Sequence, residues 1–435
     1  MIEFRRNAYH RTTILCLVLT VSASISAWTL PRLPMRTHRS SIGSLPATVD
    51  DSITASTISA SGTTITSNNV VTTKLLPEFQ AVTDAAQAKL LASIPEAYHA
   101  KIVPLLAHFV NEYMTASQNA YLATGNPSSA PEQAASRILQ GVGYGVRLGL
   151  LEPFQFSTSH VALRGKNPEL EQGNEIDFYE FGCEFFRTVM DLERSVVLGQ
   201  DQIPTILQQL ADGENVVLLA NHQSEADPQV VSCCLEAIGY GDLAADAVYV
   251  AGHKVTTDPL AIPFSMGRNL ICIHSKKHIN ADPETKSVKQ RENLKAMGAL
   301  LNKFKEGGAL LWVAPSGGRD RRDVNTGKVP LAPFDSKTID MFRLMGNKSK
   351  KTTHFYTLAM VSYDLCPPPD VIEPGTGEPR NVRFGPVGIA LGAECISVGG
   401  LESRQDFCQH AFAQCQDDYL RLQQAIANPT TTDQA

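Results

Sequence analysis

The sequence predicts an α/β fold, a mixed sheet flanked by helices, with a smaller helical bundle ahead of it. Three observations carry this reading. Short apolar runs of strand length recur after residue 213, separated by helical stretches. Between about 75 and 199 the apolar residues recur at helical spacing instead. The first 74 residues have a composition that belongs to neither pattern.

The chain begins with Arg5, Arg6 and Arg11, then an apolar run from Ile14 to Val21 and small residues from Ser22 to Ala27. This is the order of a cleavable signal peptide, assigned to residues 1–27. Residues 28–74 open at Trp28 and carry Arg32, Arg36 and Arg39, with no acidic residue between Glu3 and Asp50. From Ser40 to Thr73 they are mostly Ser, Thr, Ala, Gly and Val, a composition that buries too little apolar surface to offset the entropy of folding. That acid-poor, Arg- and Ser-rich character is that of a transit peptide. A plain signal peptide followed by a disordered head is the alternative.

Residues 75–200 read as the helical bundle. Helices are expected from Pro77 through Leu91, from Ile102 to Leu122, from Pro131 to near Gly141, and from Phe178 to about Val197. Residues 201–430 read as the α/β domain. Val216–Ala220, Ala247–Ala251, Leu270–Ile273, Leu310–Ala314 and His354–Met360 are apolar enough for buried strands, with smaller pieces at Val382–Phe384 and Val387–Ile389. Helices fall at Pro228–Ile238, Lys286–Phe304, Thr338–Met345 and Arg404–Ala427.

Composition narrows the function. A net charge of −6 removes the global basic excess that draws a protein to nucleic acid, so no nucleic-acid partner is expected. The nine cysteines form no C-x-x-C pair, and a chain of 435 residues has no need of a disulfide framework. There is no H-E-x-x-H helix, Walker loop or G-x-S-x-G elbow, so no cofactor or metal is expected. No stretch after residue 28 has the run of roughly eighteen apolar residues of a membrane span.

The chemistry centres on Asn221-His222-Gln223-Ser224-Glu225-Ala226-Asp227-Pro228, at the exit of the first long strand. Open α/β folds place ligands there. His222 and Asp227 are spaced so that the carboxylate can fold back on the imidazole, fixing its tautomer and stabilising its protonated form. With no protein nucleophile in evidence, the attacking hydroxyl belongs to a substrate. The alternative is a structural histidine at the start of the helix from Pro228. Two cationic stretches follow the next strands, Ser275-Lys276-Lys277-His278 and Gly317-Gly318-Arg319-Asp320-Arg321-Arg322. They suit an anion such as phosphate, unless they are solvated basic loops.

These residues resemble the soluble, chloroplast-type glycerol-3-phosphate acyltransferase family. Asn221 to Pro228 matches its H-x4-D block. Pro263-Phe264-Ser265-Met266-Gly267-Arg268-Asn269-Leu270, Ser275 to His278, and Ala314-Pro315-Ser316-Gly317-Gly318-Arg319-Asp320-Arg321 match further blocks in family order. Leu358-Ala359-Met360, Tyr363-Asp364 and Pro367-Pro368-Pro369 resemble the last. The likeness runs over about residues 75–425. Ser224 stands where plant forms tend to carry Thr, and His253 where an acidic residue is expected.

The resemblance implies the glycerol-3-phosphate acyltransferase fold, with His222 as general base and Asp227 as its partner. It implies that Lys277, His278, Arg319 and Arg321 hold the phosphate of glycerol 3-phosphate. The donor would be an acyl-acyl carrier protein or acyl-coenzyme A, the product 1-acyl-sn-glycerol 3-phosphate, and the location the plastid stroma. The paired signal and transit segments resemble the bipartite leaders of algae with complex plastids, in which the transit peptide opens on an aromatic residue. Two alternatives remain from the sequence, a 1-acylglycerol-3-phosphate acyltransferase and a non-catalytic scaffold that binds a carrier protein.

Overall fold

The computed structural model describes residues 63–66, 69–72, 74–94, 96, 99–165, 176–275, 279–280, 282–369, 379–396 and 403–428. Two compact units result, Met1–Lys74 and Leu75–Ala435. In the first, Thr63–Thr66 (β1) and Asn69–Thr72 (β2) pair as an antiparallel hairpin. The segment expected to lack regular structure therefore holds this one element, where β-branched Thr, Ile and Val cluster. The rest of the signal and transit segments lies outside the described residues.

The second unit is built on a seven-stranded mixed sheet. Its strands are Val196–Leu198 (β3), Asn215–Ala220 (β4), Val248–Gly252 (β5), Asn269–Ile273 (β6), Leu310–Val313 (β7), Thr353–Val361 (β8) and Gly388–Glu394 (β9). The order is β3-β9-β8-β4-β7-β5-β6. Every pairing is parallel except β8 with β9. All six residues of β4 are buried, as its uninterrupted apolar run requires of a strand covered on both faces.

Alternation along the strands sorts two cores. Val217, Leu219, Leu311, Val313 and Phe355 face Leu300, Phe342, Phe407 and Tyr419. These come from Lys286–Glu306 (α9), Ser336–Ser349 (α10) and Arg404–Ala427 (α11). On the opposite face Leu218, Tyr249, Trp312 and Leu358 meet Ile206, Val231 and Leu243. Those belong to Ile203–Ala211 (α5), Asp227–Ala237 (α6) and Gly241–Asp246 (α7).

The N-terminal helices are Pro77–Ser93 (α1), His99–Thr124 (α2), Pro131–Val146 (α3) and Phe178–Arg187 (α4). The hydroxyl of buried Tyr113 on α2 donates to the Phe185 carbonyl of α4 (2.9 Å). Phe185 and Phe186 in turn pack on Phe264 of Ile262–Met266 (α8).

Helix α4 stops at Arg187, ten residues short of the expected end. Ser195 Oγ donates to the Asp191 carbonyl (2.7 Å), and the Asp191 carboxylate accepts from Arg194 N, closing a turn. Val196-Val197-Leu198 then joins the sheet beside β9. The expected division at residue 200/201 thus leaves one strand of the sheet on its helical side. The piece expected at Val382–Phe384 forms no strand, and β9 begins at Gly388.

Candidate active site

The loop leaving β4 carries the H-x4-D block, and from Asn221 to Asp227 every side chain but His222 and Glu225 is buried. His222 Nδ1 lies 2.8 Å from Asp227 Oδ2. Asp227 is the first residue of α6 and is fully buried, so its carboxylate sits at a positive helix end. Four more donors hold it. Gln223 N reaches Oδ2 (2.9 Å), while Ser224 N (3.1 Å), Ser224 Oγ (3.1 Å) and Ser362 Oγ (2.6 Å) reach Oδ1.

A carboxylate this well satisfied accepts the Nδ1 proton of His222 and leaves Nε2 as the ring's basic atom. The ring retains 27% exposure and meets Trp312 edge-on at 5.7 Å. Among the described residues no serine, threonine or cysteine side chain bonds to His222. Both nearby serine hydroxyls are committed to Asp227. The arrangement is an imidazole oriented by a buried carboxylate, with no hydroxyl or thiol among the described residues bonded to the ring.

The neighbours of the dyad lock its loop to the next strands. Asn221 Oδ1 accepts from Met360 N (2.7 Å), and its Nδ2 donates to Met360 O (3.1 Å) and to Asp320 Oδ2 (3.1 Å). Gln223 Oε1 accepts from Ser362 N and Tyr363 N, while Nε2 donates to Tyr419 Oη (3.1 Å). Asp320 N donates to the His222 carbonyl (2.6 Å). Burial pushes the Asp320 carboxyl up to about 6, against hydrogen bonds from Ala332, Asn221 and Gln223.

The loop after β7 turns at Gly317, whose φ of 70° suits glycine. It delivers Arg319 to a cleft shared with Glu225, Arg380 and Pro367–Pro369. Arg321 is half-buried, and its Nη1 donates to the Pro369 carbonyl (2.9 Å). Arg322 points elsewhere, pairing with Asp364 (2.6 Å). Lys277 and His278 lie outside the described residues. The structure therefore brings His222, Asp227 and Arg319 to the same loop region. Glu225 of the H-x4-D block faces the Arg319 cleft, and Arg321 borders it through Pro369.

The cavity on the α5–α7 face of the sheet is lined only by apolar and aromatic side chains, Trp312 among them. The same indole packs against His222, so that ring and the cavity share a wall.

Residues 194–361 match the family described as Acyltransferase. Over 353 residues the chain is 35% identical to glycerol-3-phosphate acyltransferase ATS11, chloroplastic, of Cucurbita moschata, spanning 80% of this chain and 76% of that one. The chain belongs to the chloroplastic glycerol-3-phosphate acyltransferase family. The Arabidopsis thaliana member is 35% identical over 318 residues, covering 71% of this chain and 66% of its own. The Pisum sativum member is 38% identical over 247 residues, 57% and 52% respectively. The chain thus spans between about half and three quarters of the relatives it matches. Among solved structures, a 1-acyl-sn-glycerophosphate (LPA) acyltransferase, PlsC, from Thermotoga maritima aligns with a TM-score of 0.33 and 16% identity over 55% of this chain and 77% of that one. No helix among the described residues is long and apolar enough to cross a membrane.

Within this family frame, Ser362 and Asp320 anchor the dyad loop, yet neither was singled out for that from sequence. Both lie more than ninety residues from it in the chain, and a hydroxyl or carboxylate at such separation gives no local signal. Arg380 was missed for the same reason. Its guanidinium pairs with Glu225 (2.7 Å) and Asp258 (2.9 Å), fixing the cleft wall opposite Arg319.

Proposed function

We propose that this chain transfers a fatty acyl group from an acyl-acyl carrier protein, or from acyl-coenzyme A, to the sn-1 hydroxyl of glycerol 3-phosphate. The product is 1-acyl-sn-glycerol 3-phosphate. The observation that carries the reading is the His222–Asp227 pair beside no protein nucleophile. Family membership supplies the substrate class.

In this mechanism His222 Nε2 removes the proton of the C1 hydroxyl as its oxygen attacks the thioester carbonyl. Asp227 stabilises the imidazolium that forms. The tetrahedral intermediate collapses by breaking the carbon–sulfur bond, and the departing thiolate takes the proton back from His222. Glycerol 3-phosphate is small, so its phosphate is the handle that positions C1. Arg319, with Arg321, Lys277 and His278, is assigned to that phosphate. Support comes from the place of Arg319 in the cleft beside the dyad loop.

Residues 1–27 and 28–74 are assigned as signal and transit segments leading to the plastid stroma, with the helical and α/β parts of 75–200 and 201–430 forming the working enzyme. The chloroplastic relatives favour a plastid location. A direct test is product formation from acyl-carrier protein with glycerol 3-phosphate, by the chain and by His222→Ala. The reading expects the variant to lose about 10²–10⁴-fold in turnover. Full turnover by a folded His222→Ala protein would reject it.

A further inference from the structure

The parallel register of β5 and β6 pairs Gly252 with Ile273. The next residue of each, His253 and His274, therefore leaves the sheet side by side. Adjacent strands lie only about 4.8 Å apart. Their imidazoles stack, with centroids 3.8 Å apart and planes within 5°. Glu292 reaches them from α9, its Oε2 2.6 Å from His274 Nε2. Asn293, the next residue of that helix, accepts from His274 N (2.8 Å) and donates to His274 O (2.9 Å). Strand end and helix are thus fixed to each other. Among the described residues no group hydrogen-bonds the half-buried ring of His253.

The geometry points to a divalent transition-metal site of the zinc class, formed by His253, His274 and Glu292. One ligand atom from each lies within 4.8 Å of the others. Zinc–nitrogen and zinc–oxygen bonds of about 2.0–2.2 Å set tetrahedral ligand atoms roughly 3.3–3.5 Å apart. To bind one ion, His274 Nε2 and Glu292 Oε2, now 2.6 Å apart, must part slightly and the stacked rings must turn so that their in-plane lone pairs converge. The Glu292 side chain, 42% exposed, has room to turn. Two imidazole nitrogens favour zinc, cobalt or nickel over magnesium and calcium, which take oxygen shells.

Three protein ligands leave a fourth position for water or an anion. A bound ion would tie the ends of β5 and β6 to α9, one residue before Ser275. The sequence gives no motif for it, because the ligands come from three separate elements. His253 stands where the family resemblance implies an acidic residue, and the imidazole there is what makes the set nitrogen-rich. This site is independent of the acyl-transfer reading.

The test is zinc titration of the chelator-stripped full chain by calorimetry, with cobalt absorption as a second readout of nitrogen ligation. His253→Asn and Glu292→Gln are the variants, since His274 also braces the fold. The expected result is one ion per chain, a raised melting temperature with zinc, and no binding of magnesium. Each variant should weaken zinc by at least about tenfold, the smallest loss typical even for residues behind the ligands. Absence of stoichiometric zinc binding would overturn the site. So would binding that both variants leave unchanged, which would place the metal on other residues.

Discussion

His222 makes one side-chain hydrogen bond, whereas the Asp227 carboxylate accepts five. That asymmetry separates their substitutions. His222→Ala removes a partly exposed base and should leave the denaturation midpoint unchanged while turnover falls. Asp227→Asn puts an amide N–H₂ among donors, so it should cost both turnover and roughly 1–3 kcal/mol of stability for each donor left unsatisfied. Urea denaturation beside steady-state kinetics checks both. The cations separate by substrate. Arg319→Ala and Arg321→Ala should raise the glycerol 3-phosphate KM by about ten-fold to over a hundred-fold, from 1.5–3 kcal/mol per charge-assisted bond. The thioester KM should stay near its original value. Equal rises in both would mean that these arginines only support the cleft, as the Arg321–Pro369 bond does in part. The dyad was legible in the sequence because both residues sit in one short loop. Ser362, Asp320 and Arg380 were not, since only the packing of three strand ends brings them there.

At the scale of elements, β4 and β7 were readable from sequence because both are buried throughout and an unbroken apolar run admits few other environments. The three-residue β3 was not, being shorter than the pattern needed to tell a strand from the end of an amphipathic helix. One contact across strand ends gives a pH prediction. His354 at the start of β8 lies between Glu214 beside β4 (2.9 Å) and Glu394 at the end of β9 (2.6 Å). Burial disfavours its charge, but the hydrogen bonds it donates to both glutamates outweigh that and raise its pKa. Because the folded value lies above the ordinary imidazole value of about 6.5, the stabilisation is complete below that pH. It disappears as pH rises through the raised value. The stability difference between wild type and His354→Gln should therefore shrink on going from pH 6 to pH 8, as read from urea midpoints. A difference that grows with pH would contradict the ion-pair account.

Over the whole molecule, the compact unit starts at Leu75, where the small-residue segment of the sequence gives way to helical periodicity. Fusion of residues 1–74 to a fluorescent protein should direct it to the plastid, and secretion of the fusion would contradict the leader assignment. The strand ends of the sheet carry His222, Asp227 and Arg319 in loops, while its α5–α7 face keeps an apolar cavity behind Trp312. The proposed mechanism requires that the acceptor hydroxyl comes from the substrate and that no acyl group rests on the protein. The most direct test is a single-turnover experiment with the enzyme in excess over carrier protein bearing a radiolabelled acyl group, run with and without glycerol 3-phosphate and quenched in acid. The account predicts no label on the protein and an intact thioester without glycerol 3-phosphate, then conversion to labelled 1-acyl-sn-glycerol 3-phosphate when it is added. A burst of labelled acyl-enzyme in its absence would contradict the account, because it would show a protein nucleophile that accepts the acyl group first.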